Sequence, residues 1–149
     1  GPWIATSYID EPRSAESFID GWWKSGDIAS INQDGVMKLV DRAKDLIKSG
    51  GEWISSVDLE NSLMAHEALR EATVVGMPHD KWLERPIAFI VARGSERPSE
   101  DALRQHLLNA GFAKWWLPDR LVYLDQIPKT GVGKFNKRLL REQLDELLK

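Results

Sequence analysis

The chain has 149 residues, 42% of them hydrophobic and 29% charged, with a formal net charge of -3, which suits one compact domain or a small domain plus part of another. That balance excludes intrinsic disorder and a global basic field, so no nucleic-acid partner is expected. The lack of cysteine excludes disulfides, thiol catalysis and thiolate-held metals, and a cytoplasmic location is the expectation.

His66, His79 and His106 lie far apart and show no paired ligand spacing, so solvated positions are expected and no metal site. No apolar run is long enough for a transmembrane segment, and Gly1-Pro2-Trp3 does not open an export signal. A start without methionine reads as a chain that begins inside a longer protein.

In chain order, residues 27–31, the turn Asn32-Gln33-Asp34-Gly35 and the alternating residues 36–40 predict a β-hairpin. The polar stretch Asp41-Arg42-Ala43-Lys44-Asp45 marks a boundary, and Leu46-Ile47-Lys48 leads into a turn at Ser49-Gly50-Gly51. Ser55 with Asp58 forms a capping-box-like start to a short helix whose apolar face is Val57, Leu59, Leu63 and Met64. Residues 72–75 and 87–92 are β-branched and apolar and predict two strands, separated by a loop holding Pro78, His79, Asp80 and Lys81. Ser99 caps a second helix with Leu103, Leu107 and Ala110 on one side and Gly111 at its end. Residues 121–124 predict a short strand, and Leu140, Leu144, Leu147 and Leu148 predict a last helix over 137–148. Strands and helices that do not alternate regularly make an α+β domain, a short mixed β-sheet flanked by about three helices.

Three segments carry candidate chemistry. Gly131-Val132-Gly133-Lys134 has a phosphate-loop look, but a nucleoside-triphosphatase loop needs Gly and Ser or Thr where Pro128 and Phe135 stand. What remains is a flexible turn presenting Lys134 just before a helix; an exposed loop lysine is an equally good reading of that segment alone. In Gly21-Trp22-Trp23-Lys24-Ser25-Gly26-Asp27 the carboxylate can accept from two sugar hydroxyls, or merely end a turn. Residues 41–45 followed by Gly50-Gly51 read, alone, as a solvated charge run beside a turn.

Together the order and spacing of these segments resemble the adenylate-forming superfamily of acyl-CoA synthetases, peptide-synthetase adenylation domains and beetle luciferases, over almost the whole chain. Residues 21–27 look like its Gly-aromatic-aromatic-basic-Thr-Gly-Asp segment, and residues 40–60 like its hinge segment. Pro128-Lys129-Thr130 through Gly133-Lys134 look like its Pro-Lys-Thr-x-x-Gly-Lys segment. The wording Ser49-Gly50-Gly51-Glu52-Trp53-Ile54-Ser55-Ser56 looks most like the medium-chain fatty acyl-CoA and related short-acid ligases. Ser25 stands where Thr is usual, and Leu83 precedes Glu84 where the family often has Gly.

The resemblance implies that residues 1–43 are the distal end of an N-terminal adenylation domain, incomplete and ending in the hairpin. Residues 44–149 would be the mobile C-terminal lid, with the hinge at 41–45 and Lys44 at its pivot. It implies that a carboxylic acid, fatty or related, is activated with ATP as acyl-AMP and passed to CoA, with magnesium held in the N-terminal domain. By the same carry-over Lys134 is the catalytic lysine, Asp27 and Arg42 bind the nucleotide, and Gly50 and Gly51 leave room for the pantetheine of CoA. Trp53 would flank that tunnel or simply pack; Trp22, Trp23, Trp82, Trp115 and Trp116 read as packing or domain contacts. A carrier-protein or amine acceptor, and a non-enzymatic module that retains the fold, are alternatives with the same hinge and lysine.

Overall fold

The computed structural model describes residues 3–9, 12 and 14–148, and the chain divides into two compact units, one ending at Lys44 and the other beginning at Asp45. The first unit holds α1 (Ser14–Ser17), an antiparallel pair β1 (Phe18–Ile19) and β2 (Trp22–Trp23), and the hairpin β3 (Asp27–Ile31) with β4 (Met37–Arg42). Asn32 makes the hairpin turn: its Oδ1 accepts from the backbone N–H of Asp34 (3.1 Å) and Val36 (2.8 Å), the local bonding for which asparagine is favoured in turns.

The second unit runs β5 (Ile47–Ser49), β6 (Glu52–Ile54), α2 (Ser56–Met64), β7 (Leu69–His79), β8 (Leu83–Ala92), α3 (Glu100–Asn109), a 3-10 turn at Lys114–Trp116, β9 (Arg120–Tyr123), α4 (Lys137–Glu142) and α5 (Leu144–Leu147). Its sheet is mixed. β8 pairs antiparallel with β7 along one edge; on the other edge it meets β5 at Leu83 and runs parallel to β9 from Ile87 to Ile90. Ala72, Val74, Ala88 and Ile90 face α2 and α3, where Leu59, Leu63, Leu103 and Leu107 close one core. Val75, Ile87, Phe89 and Val91 face the other way and meet Leu140 and Leu144 of α4 and α5. A sheet buried on both faces needs unbroken apolar runs, which is why these strands show no polar alternation.

Helix starts follow their capping residues: Ser55 Oγ accepts from Asp58 N and Ser99 Oγ from Ala102 N, both at 3.1 Å. Three differences from expectation stand out. The stretch around Gly50 and Gly51 is a hairpin, not only a turn. β7 and β8 extend past the apolar runs through Pro78 and Glu84, where the ladder between them and the pairing of Leu83 with Ser49 of β5 hold the backbone without apolar side chains. The C-terminal helix is split at Gln143, a break that neither proline nor glycine explains, although Leu140 and Leu144 stay on one buried face. Among the described residues no helix is long and apolar enough to cross a membrane.

Candidate functional site

Asp27 and Arg42 are register partners across the β3–β4 ladder, and Arg42 Nε lies 3.4 Å from Asp27 Oδ1. Ala43 N donates to Gly26 O at 2.8 Å and extends the pairing by one more bond. The side chains remain 54% (Arg42) and 32% (Asp27) exposed, so the carboxylate keeps acceptor sites for a diol and the guanidinium keeps donors for an anion. Fifteen positions apart in sequence, they form one polar edge because the hairpin folds back on itself.

Gly50 and Gly51 form the two-residue loop between β5 and β6, with Ser49 paired to Glu52 and φ values of +61° and +91°. A loop with φ positive at both central positions is the hairpin turn that glycine serves best. The two glycines differ in surroundings. A Cβ on Gly50 would lie 2.9 Å from Trp82 Cε3, whereas one on Gly51 would meet nothing within 4 Å. Gly50 N also donates to Trp82 O at 2.9 Å, so the indole backs the turn while Gly51 stays open.

Beside Gly50 is a cavity of about 490 Å³ lined by Ser49, Gly50, Glu52, Trp82, Arg85, Trp115 and Asp119. Arg85 fixes its wall: the guanidinium donates to Ser49 Oγ (3.0 Å), Trp115 O (2.7 Å), Leu117 O (3.0 Å) and Asp119 Oδ1 (2.8 Å). Sequence reading leaves Trp82 and Trp115 as packing residues and passes over Arg85. They converge only through the fold of β8 and the 3-10 turn, so no linear spacing signals them. Trp53 is outside that lining, half exposed, with Lys48 Nζ 5.3 Å from its ring centroid.

Lys134 is on a tight reversal. Lys129 and Phe135 bridge antiparallel, Thr130 N donates to Lys134 O (2.7 Å), and Gly133 N donates to Thr130 O (2.9 Å) with φ +81°. Both flanks are tied to the sheet and α2. Lys129 Nζ is 2.7 Å from Glu71 Oε1 on β7; Lys137 Nζ is 2.8 Å from Glu60 Oε1 and 2.7 Å from Ser56 Oγ on α2. Among the described residues Lys134 Nζ has no such partner, and its side chain is exposed. Lys134 does not line the cavity beside Gly50, so these two candidate elements are separate features of the second unit.

Lys44 is the last residue of the first unit and is exposed; the following Asp45 is buried. His66 and His106, distant in sequence, pack edge to face with ring centroids 5.1 Å apart, and His106 Nε2 donates to Ser62 O at 2.8 Å. His106 of α3 thus bonds the last turn of α2, and His66 follows that helix.

Residues 58–134 match the model of the AMP-binding enzyme C-terminal domain. The chain is 54% identical over 145 residues to a long-chain-fatty-acid–CoA ligase of Thermus thermophilus, covering 96% of this chain and 27% of that protein. It is 45% identical over 148 residues to a 3-methylmercaptopropionyl-CoA ligase of Ruegeria lacuscaerulensis, covering 99% and 27%. The solved structure of o-succinylbenzoate CoA synthetase from Bacillus subtilis with its acyl-adenylate intermediate superposes with a TM-score of 0.85 at 34% identity, covering 97% of this chain and 28% of that one. The chain thus spans about a quarter of the length of the curated relatives it matches.

Proposed function

The chain belongs to the family of AMP-binding enzyme C-terminal domains, and from that premise we propose that it supplies the mobile lid of an ATP-dependent, AMP-forming acyl-CoA synthetase for a fatty or related carboxylic acid. Residues 44–149 are the lid, residues 1–43 the distal end of the adenylation domain, and Lys44, within 41–45, is the pivot. The acid's carboxylate oxygen attacks the α-phosphorus of ATP, the bond to the bridging oxygen of the β-phosphate breaks, and pyrophosphate leaves. The sulfur of CoA, having given up its proton, then attacks the acyl carbon and AMP leaves.

In the first step two anions are forced together and charge spreads over the phosphoryl oxygens, so a pre-placed ammonium has its largest effect in a closed, dry site. Lys134 is assigned that role. The observation that carries it is the contrast within one segment: Lys129 and Lys137 are neutralised by Glu71 and Glu60, and Lys134 is left to present its charge outward. Asp27 accepts from the ribose hydroxyls and Arg42 donates to the ribose or phosphate side. Gly51, open beyond its Cα, gives the pantetheine room to pass, and the cavity beside Gly50 continues that space. Magnesium would neutralise phosphate charge when bound; among the described residues no group of three or more His, Asp or Glu side chains is set to hold a metal ion, and this chain is assigned no part in holding it. The matched ligases carry different acids in their names, in keeping with a lid that serves many acids and an acyl pocket lying elsewhere.

The test is Lys134→Ala in the complete enzyme. Adenylation, read by pyrophosphate exchange, should fall by at least about a hundredfold, the scale for losing one transition-state charge partner. Thioester formation from supplied acyl-AMP should persist. Equal losses in both half-reactions would remove Lys134 from this role.

A further inference from the structure

Lys137 follows Lys134 by three residues, yet its ammonium points back into the molecule. As the first residue of α4, directly after the capping Asn136, it reaches Glu60 Oε1 at 2.8 Å and Ser56 Oγ at 2.7 Å. The Lys137 and Glu60 side chains are only 13% and 12% exposed. Glu60 Oε1 also accepts from Val74 N at 2.7 Å and from Thr73 Oγ1 at 2.9 Å. One carboxylate oxygen therefore joins α2, β7 and the start of α4, and a charge-assisted bond of this kind fixes direction as well as distance.

We propose that Lys137, locked by Glu60, is a positioning residue that sets where Lys134 presents its ammonium; the inference rests on the catalytic role of Lys134 given above. The turn is closed by its own short-range bonds, Thr130 N to Lys134 O at 2.7 Å and Gly133 N to Thr130 O at 2.9 Å, with Gly133 in a left-handed conformation. Those bonds fix its shape, whereas its placement on the domain is set by its two flanks. Its incoming flank is held by Lys129 at Glu71, a pair whose lysine is 44% exposed and therefore screened by water. The outgoing flank is held by the better shielded Lys137–Glu60 pair, so the lysine's reach is referenced to the sheet chiefly through α4.

The experiment measures both half-reactions of the complete enzyme for Lys137→Met, Lys137→Arg and Lys134→Ala, with thermal unfolding of each variant. A displacement near 1 Å at a reacting group costs about a hundredfold in rate. Lys137→Met should accordingly lower kcat for adenylation by about ten- to a hundredfold, leave KM for ATP within about twofold and thioester formation from supplied acyl-AMP intact, and Lys137→Arg should restore most of the loss. Methionine leaves the Glu60 carboxylate without its cation; should that variant not fold, Glu60→Gln with Lys137→Met removes both charges and must show the same selective loss. Equal loss in both half-reactions, or normal adenylation, overturns the inference. Normal adenylation in Lys134→Ala overturns the parent reading and this one with it, whereas loss in Lys134→Ala alone overturns only the role of Lys137.

Discussion

Arg141 Nη2 lies 2.7 Å from Asp45 Oδ1, joining α4 to the first residue after Lys44 across 96 positions of sequence. Lys137 and Arg141 are four residues apart on one helix, so their side chains project from the same face. The helix that follows the Lys134 turn is thus pinned at one end to α2 and at the other to the start of the second unit.

The Asp45 side chain is 11% exposed and that of Arg141 30%, so the pair is largely shielded from water. Asp45→Ala should destabilise the protein by about 2 kcal/mol, within the range for a hydrogen bond to a charged group, and leave Lys134 chemistry in place. Urea denaturation measures the first and pyrophosphate exchange the second. No loss of stability would mean that the pair is solvated in solution.

Lys44 tests the pivot. Rotation about a short linker is absorbed by backbone dihedrals at a few residues, and proline fixes φ near -65° while restricting Ala43 before it. Lys44→Pro should keep pyrophosphate exchange within about tenfold of wild type, an allowance for modest strain, and depress acyl-CoA formation from supplied acyl-AMP much further. Lys44→Ala should do little to either. Equal effects of proline and alanine, or a harmless proline, would move the pivot elsewhere.

The two glycines of the β5–β6 turn should not be equivalent. Alanine at either meets a left-handed backbone, a cost of about 1–2 kcal/mol, but only at Gly50 does the new Cβ fall 2.9 Å from the Trp82 ring. Gly50→Ala should therefore be the more destabilising in thermal unfolding, and Trp82→Ala should relieve part of the excess. A double-mutant cycle with no coupling would show that the indole swings aside. Gly51→Ala, which projects into open space, should act mainly on KM for CoA.

Leu83 shows what the sequence announced and what it hid. It occupies a position where the resembling family often has glycine, and the structure gives the cause: φ is +71° at the close of the β7–β8 turn. Because the side chain is 61% exposed, Leu83→Gly should leave the unfolding free energy read by urea denaturation unchanged or raise it by up to about 1 kcal/mol; a clear fall would mean that the leucine has a packing role. The capped helices at Ser55 and Ser99 and the central runs of β7 and β8 were legible because local bonding and hydrophobicity agree there. The turns at Gly50-Gly51 and before Lys134 were legible as turns, since glycines close together in sequence announce them. Arg85 meeting Ser49 and Asp119, Lys137 meeting Glu60, and Arg141 meeting Asp45 were not, because each pair is separated by 34 residues or more and its geometry exists only once the sheet has formed.

The double roofing of β7 and β8 has a thermodynamic consequence for any swinging motion. Helices α2 and α3 cover one face and α4 and α5 the other, all from within residues 45–149. Reorienting that unit does not require opening either core, so the large hydrophobic contribution drops out of the difference between orientations. A ligand contacting one orientation alone would need to favour it by only about 5.5 kcal/mol to take its population from one per cent to ninety-nine.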